Sequence, residues 1–136
     1  MVFTVKTTQK TEMIDITGQV RAHIEKAADA AGIQNGYCLI FIPHTTAAVT
    51  INESADPSVR TDIQAALERL VPEDMPYRHL EGNSPAHIRS TLVGASEWLM
   101  VENARPVLGT WQGVFFCEFD GPRTRKVHLS LMGGPS

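Results

Sequence analysis

The sequence predicts an α+β fold, a mainly antiparallel sheet with helices packed on one face, in a single compact domain over residues 1–136. Three observations predict it. Strand-like and helix-like segments come in blocks rather than in strict alternation, and several neighbouring strands are joined by turns too short for a crossover helix. No linker, repeat or low-complexity run divides the chain. A length of 136 residues suits one domain with a real core and is short for two.

Val2 to Ile16 alternates with period two and reads as a hairpin turning near Gln9-Lys10, with Phe3, Val5, Ile14 and Ile16 facing inward. Thr17 offers an N-cap, and Val20, Ile24, Ala27, Ala28 and Ala31 recur at helical spacing until Gly32, which suits a left-handed cap. Tyr37 to Ile42 and Ala47 to Ile51 are β-branched and apolar, joined by or interrupted at Pro43-His44-Thr45-Thr46. Asp56-Pro57 makes an N-cap and first-turn pair for a second helix, whose stripe is Val59, Ile63, Ala66, Leu67 and Leu70. Glu73 to Asn83 has the composition of a loop, and Ser84-Pro85 opens a third helix with Ile88, Leu92 and Ala95 on its apolar side. Trp98 to Val101, Val114 to Phe119 and Lys126 to Met132 read as closing strands.

Composition narrows the function. Lys and Arg total 12 against 15 for Asp and Glu, a net charge of −3, the wrong sign for a nucleic-acid binder. No apolar stretch approaches the roughly 20 residues that span a bilayer, and the N-terminus lacks the basic-then-apolar pattern of a secretory signal. Cys38 and Cys117 stand singly in apolar runs, as buried reduced thiols do. The expectation is a cytoplasmic protein without nucleic-acid or membrane partners.

Three histidines fall at turns or a helix start: His44, His79 and His87. A scaffold that presents ligands from loops uses such positions, and three imidazoles leave a fourth place open on a divalent metal such as zinc. Hydrogen-bonded surface histidines are the plainer alternative, because no His-Glu-x-x-His pattern occurs. His23 on a helix and His128 on a strand are accounted for by packing or exposure. Among carboxylates, Glu53 follows a strand, Glu81 neighbours His79, and Glu118 interrupts an apolar strand. Glu118 either reaches solvent at the strand end or is buried with a cation or metal, since unpaired burial is costly. A third set suits an anion: Gly82-Asn83-Ser84 leads into a helix N-terminus, with Thr45, Thr46, Arg89, Arg123 and Arg125 as further donors. Trp111-Gln112 forms a pocket wall or subunit contact, or simply packs between strands.

Three phrases carry a resemblance: Pro43-His44-Thr45-Thr46-Ala47-Ala48-Val49-Thr50-Ile51-Asn52-Glu53, Pro85-Ala86-His87-Ile88-Arg89-Ser90, and Leu108-Gly109-Thr110-Trp111-Gln112-Gly113 followed by Cys117-Glu118. Together they resemble the YjbQ-like family, also labelled secondary thiamine-phosphate synthase. The resemblance implies an α+β subunit assembled as a homotrimer, with a metal site at His44, His79 and His87. It also implies that Glu53, Asn83, Trp111, Gln112, Glu118 and Arg125 surround the same cavity. The label implies joining a pyrimidine diphosphate to a thiazole phosphate with release of pyrophosphate. Three imidazoles favour zinc or a related transition metal over magnesium, which suits a metal-bound water attacking a phosphate or amide-like bond, with Glu53 or Glu118 as general base. Two functional classes meet these residues. One is a metal-dependent enzyme acting on a small phosphorylated or anionic substrate, and the other is a non-catalytic trimeric module that binds metal and metabolite.

Overall fold

The computed structural model describes residues 1–134. The α+β class and the antiparallel pairing hold, with the strands divided between two sheets. The larger sheet has the order β1 (Val2–Lys6), β8 (Thr124–Gly133), β3 (Gly36–Phe41), β5 (Ser96–Glu102), β6 (Arg105–Pro106). The smaller has β2 (Glu12–Asp15), β7 (Gln112–Glu118), β4 (Ala47–Glu53). The expected hairpin of β1 and β2 does not form. Phe3 lies opposite Val127 of β8, and Ile14 lies opposite Phe116 of β7, so residues 7–11 carry the chain from one sheet to the other. Period-two alternation is blind to this, because it fixes which side chains face inward and not which neighbour a strand takes. The turn from Pro43 to Thr46 likewise crosses between sheets, from β3 to β4.

The inward faces of both sheets meet in one core that includes Phe3, Ile40, Val49, Phe116 and Val127, closed by Val20 and Ile24 of α1 (Thr17–Ala31). Helix α1 ends as its sequence predicts, with Gly32 in the left-handed region at φ 68°. Its start differs: Ile16 is the N-cap residue and Thr17 is already helical, its hydroxyl donating to Asp15 and accepting the Val114 amide at 2.9 Å. Phe115, Cys117 and Phe119 alternate to the other face of the small sheet. There they pack with Ala86 of α3 (Ser84–Val93) and with Ile63 and Leu67 of α2 (Pro57–Leu70). The Asp56 cap is formed, its carboxylate accepting the Ser58 amide at 2.9 Å. Helix α2 buries no residue fully, and Leu70, expected on its inner stripe, is exposed. Both cysteines are free and buried, and burial pushes the Cys38 thiol up to about 11 and the Cys117 thiol to about 12, so both stay protonated. No helix is long and apolar enough to cross a membrane among the described residues.

The turn between β7 and β8 presses against the crossing at residues 7–11. Gly121 donates its amide to the Lys10 carbonyl at 2.9 Å, and a Cβ there would lie 2.3 Å from the Gln9 carbonyl oxygen and 2.9 Å from Cγ of Glu118. Gly121→Ala is therefore expected to cost about 1–3 kcal/mol by overpacking. A lowered urea midpoint at unchanged slope is the readout, and an unmoved midpoint would show that the turn yields freely.

Candidate functional site

Two inward rows of apolar side chains end in opposite charges at the same end of the core. On β7 the row Val114, Phe116 continues to Glu118; on β8 the row Leu129, Val127 continues to Arg125. Arg125 Nε donates to Glu118 Oε1 at 2.9 Å and Nη2 donates to Oε2 at 2.5 Å, a paired geometry with both side chains almost wholly buried. The Thr7 hydroxyl donates to Oε1 at 2.8 Å, and the amides of Phe119 and Asp120 donate to Oε2 at 3.1 Å each. Arg125 Nη2 also donates to Thr46 Oγ1 at 2.8 Å. Burial pushes the Glu118 carboxyl upward, but Arg125, Thr7 and the Asp120 amide together outweigh it and hold it below the ordinary carboxylate range.

This corrects the expectation that Glu118 is a general base. A carboxylate that is ionised, sealed from solvent and surrounded by donors has no lone pair facing a substrate. Its place is to hold Arg125, whose Nη1 makes no hydrogen bond among the described residues and whose side chain lines a cavity of about 470 Å³.

That cavity gathers His44, His79 and His87, together with Thr45, Thr46 and Asn83. Its remaining charges are Glu81 and the pair Arg123–Asp120, whose Nη2–Oδ2 separation is 3.2 Å. Asn83 Nδ2 donates to the same Asp120 oxygen at 3.0 Å, tying the start of α3 to the β7–β8 turn. His44 Nε2 accepts the Lys126 amide at 2.9 Å, in a stretch of β8 beyond the end of β3. Burial and the nearby Arg125 charge lower its pKa from the ordinary 6.5, which keeps the ring neutral as an acceptor must be. His79 and His87 meet edge to face with ring centroids 5.3 Å apart, and Glu81 lies 3.8 Å from His79 Nε2.

Other expected members stand elsewhere. Glu53, Trp111 and Gln112 lie at the opposite end of the β4–β7 pair. Ala47 opposes Glu118 beside the cavity, whereas Glu53 opposes Gln112 six residues along, about 20 Å away at strand rise. Within one chain, then, they are not part of this cavity. Arg89 is buried and turned away from it, donating to the Val71 carbonyl at 2.8 Å and pairing with Glu73 at 3.3 Å. It anchors the root of the loop that carries His79. After the expected cradle at Gly82-Asn83-Ser84 the helix adds no further amides to it: Pro85 has no amide hydrogen, and the Ala86 and His87 amides both donate to the Asn83 carbonyl. Ser84 opens α3 without lining the cavity. Thr7 and Asp120 are partners that the sequence reading misses. Asp120 carries a local signal, three residues before Arg123 in a Gly-Pro turn, while Thr7 carries none.

The fit of a metal centre turns on lone pairs. A neutral imidazole has one, and that of His44 is engaged by Lys126. His79 and His87 make no ring hydrogen bonds among the described residues, and two imidazoles on one tetrahedral ion have centroids about 5 Å apart for metal–nitrogen bonds of ~2.0–2.1 Å. No group of three His, Cys, Asp or Glu is assembled for an ion among the described residues. The chain thus brings together two of the three expected ligands, His79 and His87.

Removing one member of the buried pair should be far worse than removing both. Arg125→Met alone is expected to cost about 3–5 kcal/mol, and Arg125→Met with Glu118→Leu to recover much of it, in a thermal-melt double-mutant cycle. Glu118 and His44 both have folded pKa values below their ordinary ones, so each contributes stability in full above its ordinary value. Stability should fall with pH in two stages, first below 6.5 as His44 is forced to protonate and then below 4.5 as Glu118 is. A His44→Gln variant should lose the first stage and keep the second.

Known proteins with this sequence pattern share the architecture. The chain matches the family described as UPF0047 protein YjbQ-like over residues 1–134. It is 51% identical over 130 residues to UPF0047 protein YugU of Bacillus subtilis, covering 95% of this chain and 96% of that one. It is 46% identical over 131 residues to UPF0047 protein MJ1081 of Methanocaldococcus jannaschii, covering 96% and 92%. A crystal structure of an uncharacterized conserved protein of the YjbQ/UPF0047 family from Clostridium acetobutylicum superimposes with a TM-score of 0.89 at 45% identity, over 97% of this chain and 99% of that one. With nearly the whole length matched at these identities, the chain belongs to the YjbQ-like UPF0047 family.

Proposed function

We propose that the cavity takes a small phosphorylated or otherwise anionic metabolite and acts on it as an enzyme. The observation that carries this reading is Arg125. Its guanidinium is fixed by Glu118 and Thr46 before any ligand arrives, its Nη1 has no hydrogen-bond partner among the described residues, and the side chain lines a cavity walled by histidines. A donor held in place needs no reorganisation when negative charge arrives or develops. Thr45 and Arg123 add donors from the rim, and His79 and His87 supply imidazoles for proton transfer. The family label of thiamine-phosphate synthase falls within this reading, since both of its reactants and its leaving group are phosphorylated. A divalent metal, zinc by the ligand type, is the alternative use of the same two imidazoles: held on His79 and His87 it would neutralise substrate charge, and proton transfer would then fall to another group.

Self-assembly is part of the same proposal. The face of the large sheet turned away from the core carries Tyr37, Phe41, Trp98, Met100 and Met132, each 44–55% exposed, and the register sets Tyr37 between Met100 and Met132. Monomers rarely expose a contiguous apolar surface of this kind, and a homotrimer would cover it.

The test joins binding to turnover. Untagged protein is titrated with inorganic phosphate and pyrophosphate, and then assayed for phosphate or pyrophosphate release from a panel of phosphomonoesters and diphosphates, with and without zinc. Turnover is expected, reduced by about 10²-fold or more in His87→Gln and by about tenfold in Arg123→Gln, with melting temperatures close to wild type. Binding with no release from any substrate would assign the non-catalytic module, and absence of binding would sink the anion site. Elemental analysis of the same protein reports bound zinc per chain. Trp98→Lys is expected to shift the mass in solution from trimer toward monomer.

A further inference from the structure

A second cavity of about 330 Å³ adjoins the first, and His44, Thr45 and His87 line both. The two have opposite chemistry. Beyond the shared residues the first is walled by Glu81, Asp120, Arg123 and Arg125, whereas the second is walled by Ala47, Ser90, Thr91, Gly94 and Ala95 and has no charged side chain. The small size of the latter residues is what leaves the space. Ser90 is 7% exposed, and its Oγ finds no hydrogen-bond partner among the described residues.

We infer that the two cavities are the halves of one bipartite site, in which the uncharged lobe selects the substrate by the neutral body attached to its anionic group. The inference rests on the anion reading above and adds the substrate's other half: a compact, weakly polar group with no charge of its own. A charged group in this lobe would lose hydration without a counter-charge, and a bare phosphate would leave it empty. The bond between the two parts then lies against His44, Thr45 and His87, the residues common to both lobes. Ala95, in the bend between α3 and β5, is the specificity-determining position most open to test, because it is exposed and engages its neighbours through its backbone, its carbonyl accepting the Ile42 amide at 2.7 Å.

Calorimetric titration with inorganic phosphate and with phenyl phosphate separates the halves. Wild type is expected to bind phenyl phosphate about tenfold more tightly, the effect of burying part of one ring. Ala95→Leu, which fills the uncharged lobe, should abolish that advantage and leave inorganic phosphate affinity unchanged. Arg123→Gln should weaken both probes by the same factor. Equal affinity of wild type for the two probes, or equal weakening of both by Ala95→Leu, overturns the bipartite site and leaves the anion site standing. Failure of both probes to bind overturns the anion site and this inference together. Thr91→Leu, from the exposed side of α3, repeats the filling from a second position, so that misfolding of one variant does not decide the matter.

Discussion

The pairing of Glu118 with Arg125 joins the two sheets at the open end of the core, and the rest of the site is arranged around it. Each residue continues an inward apolar row on a different sheet, so the carboxylate is sealed from bulk water and the guanidinium meets it only at the cavity. The hydroxyls that complete the network repeat this division. Thr7 follows β1 in the large sheet and donates to Glu118 of the small one; Thr46 precedes β4 in the small sheet and accepts from Arg125 of the large one. Such a buried pair is weak evidence for stability by itself, because desolvation offsets much of the attraction. Its structural effect is registry: it fixes where the two sheets end relative to each other, and therefore where the cavity opens.

From that constraint the character of the cavity follows. Arg125 is held by Glu118 and Thr46 with only Nη1 unpartnered among the described residues, and its charge helps keep His44 neutral, which lets His44 take the Lys126 amide beyond the end of β3. The loop after α2 is rooted by buried Arg89 and brings His79 to His87. Asn83 and Arg123 meet on Asp120 and close the rim. The residues contributing to this site come from the ends of elements and from turns, while the elements themselves are held by packing. That division lets polar and titratable groups gather without breaking the apolar core.

Much of the candidate site is legible in the sequence, because its residues sit where periodicity fails. A histidine after Pro43, a histidine in the first turn of a helix and a glutamate inside an apolar strand each depart from the local pattern, and all three lie at or behind the cavity. Roles are less legible than places. Glu118 and Arg89 read as working groups from their chemistry, yet their partners, Arg125 and the Val71 carbonyl, make one a support for Arg125 and the other a loop anchor. Glu53, Trp111 and Gln112 share motifs with cavity residues but lie a strand length away, since a β-strand separates its two ends by more than any side chain spans.

The sequence by itself determined the α+β class, the bounds of the three helices to within a few residues, the inward rows of the strands and the family. These depend on interactions close along the chain: caps, turns, and periods of 2 and 3.6 residues. Only the tertiary structure decided that the strands form two sheets, that β1 and β2 part company, and that Glu118 meets Arg125 across the core. Those outcomes depend on which surfaces pack together. Alternation shows that a side chain faces inward but does not specify what it will face there.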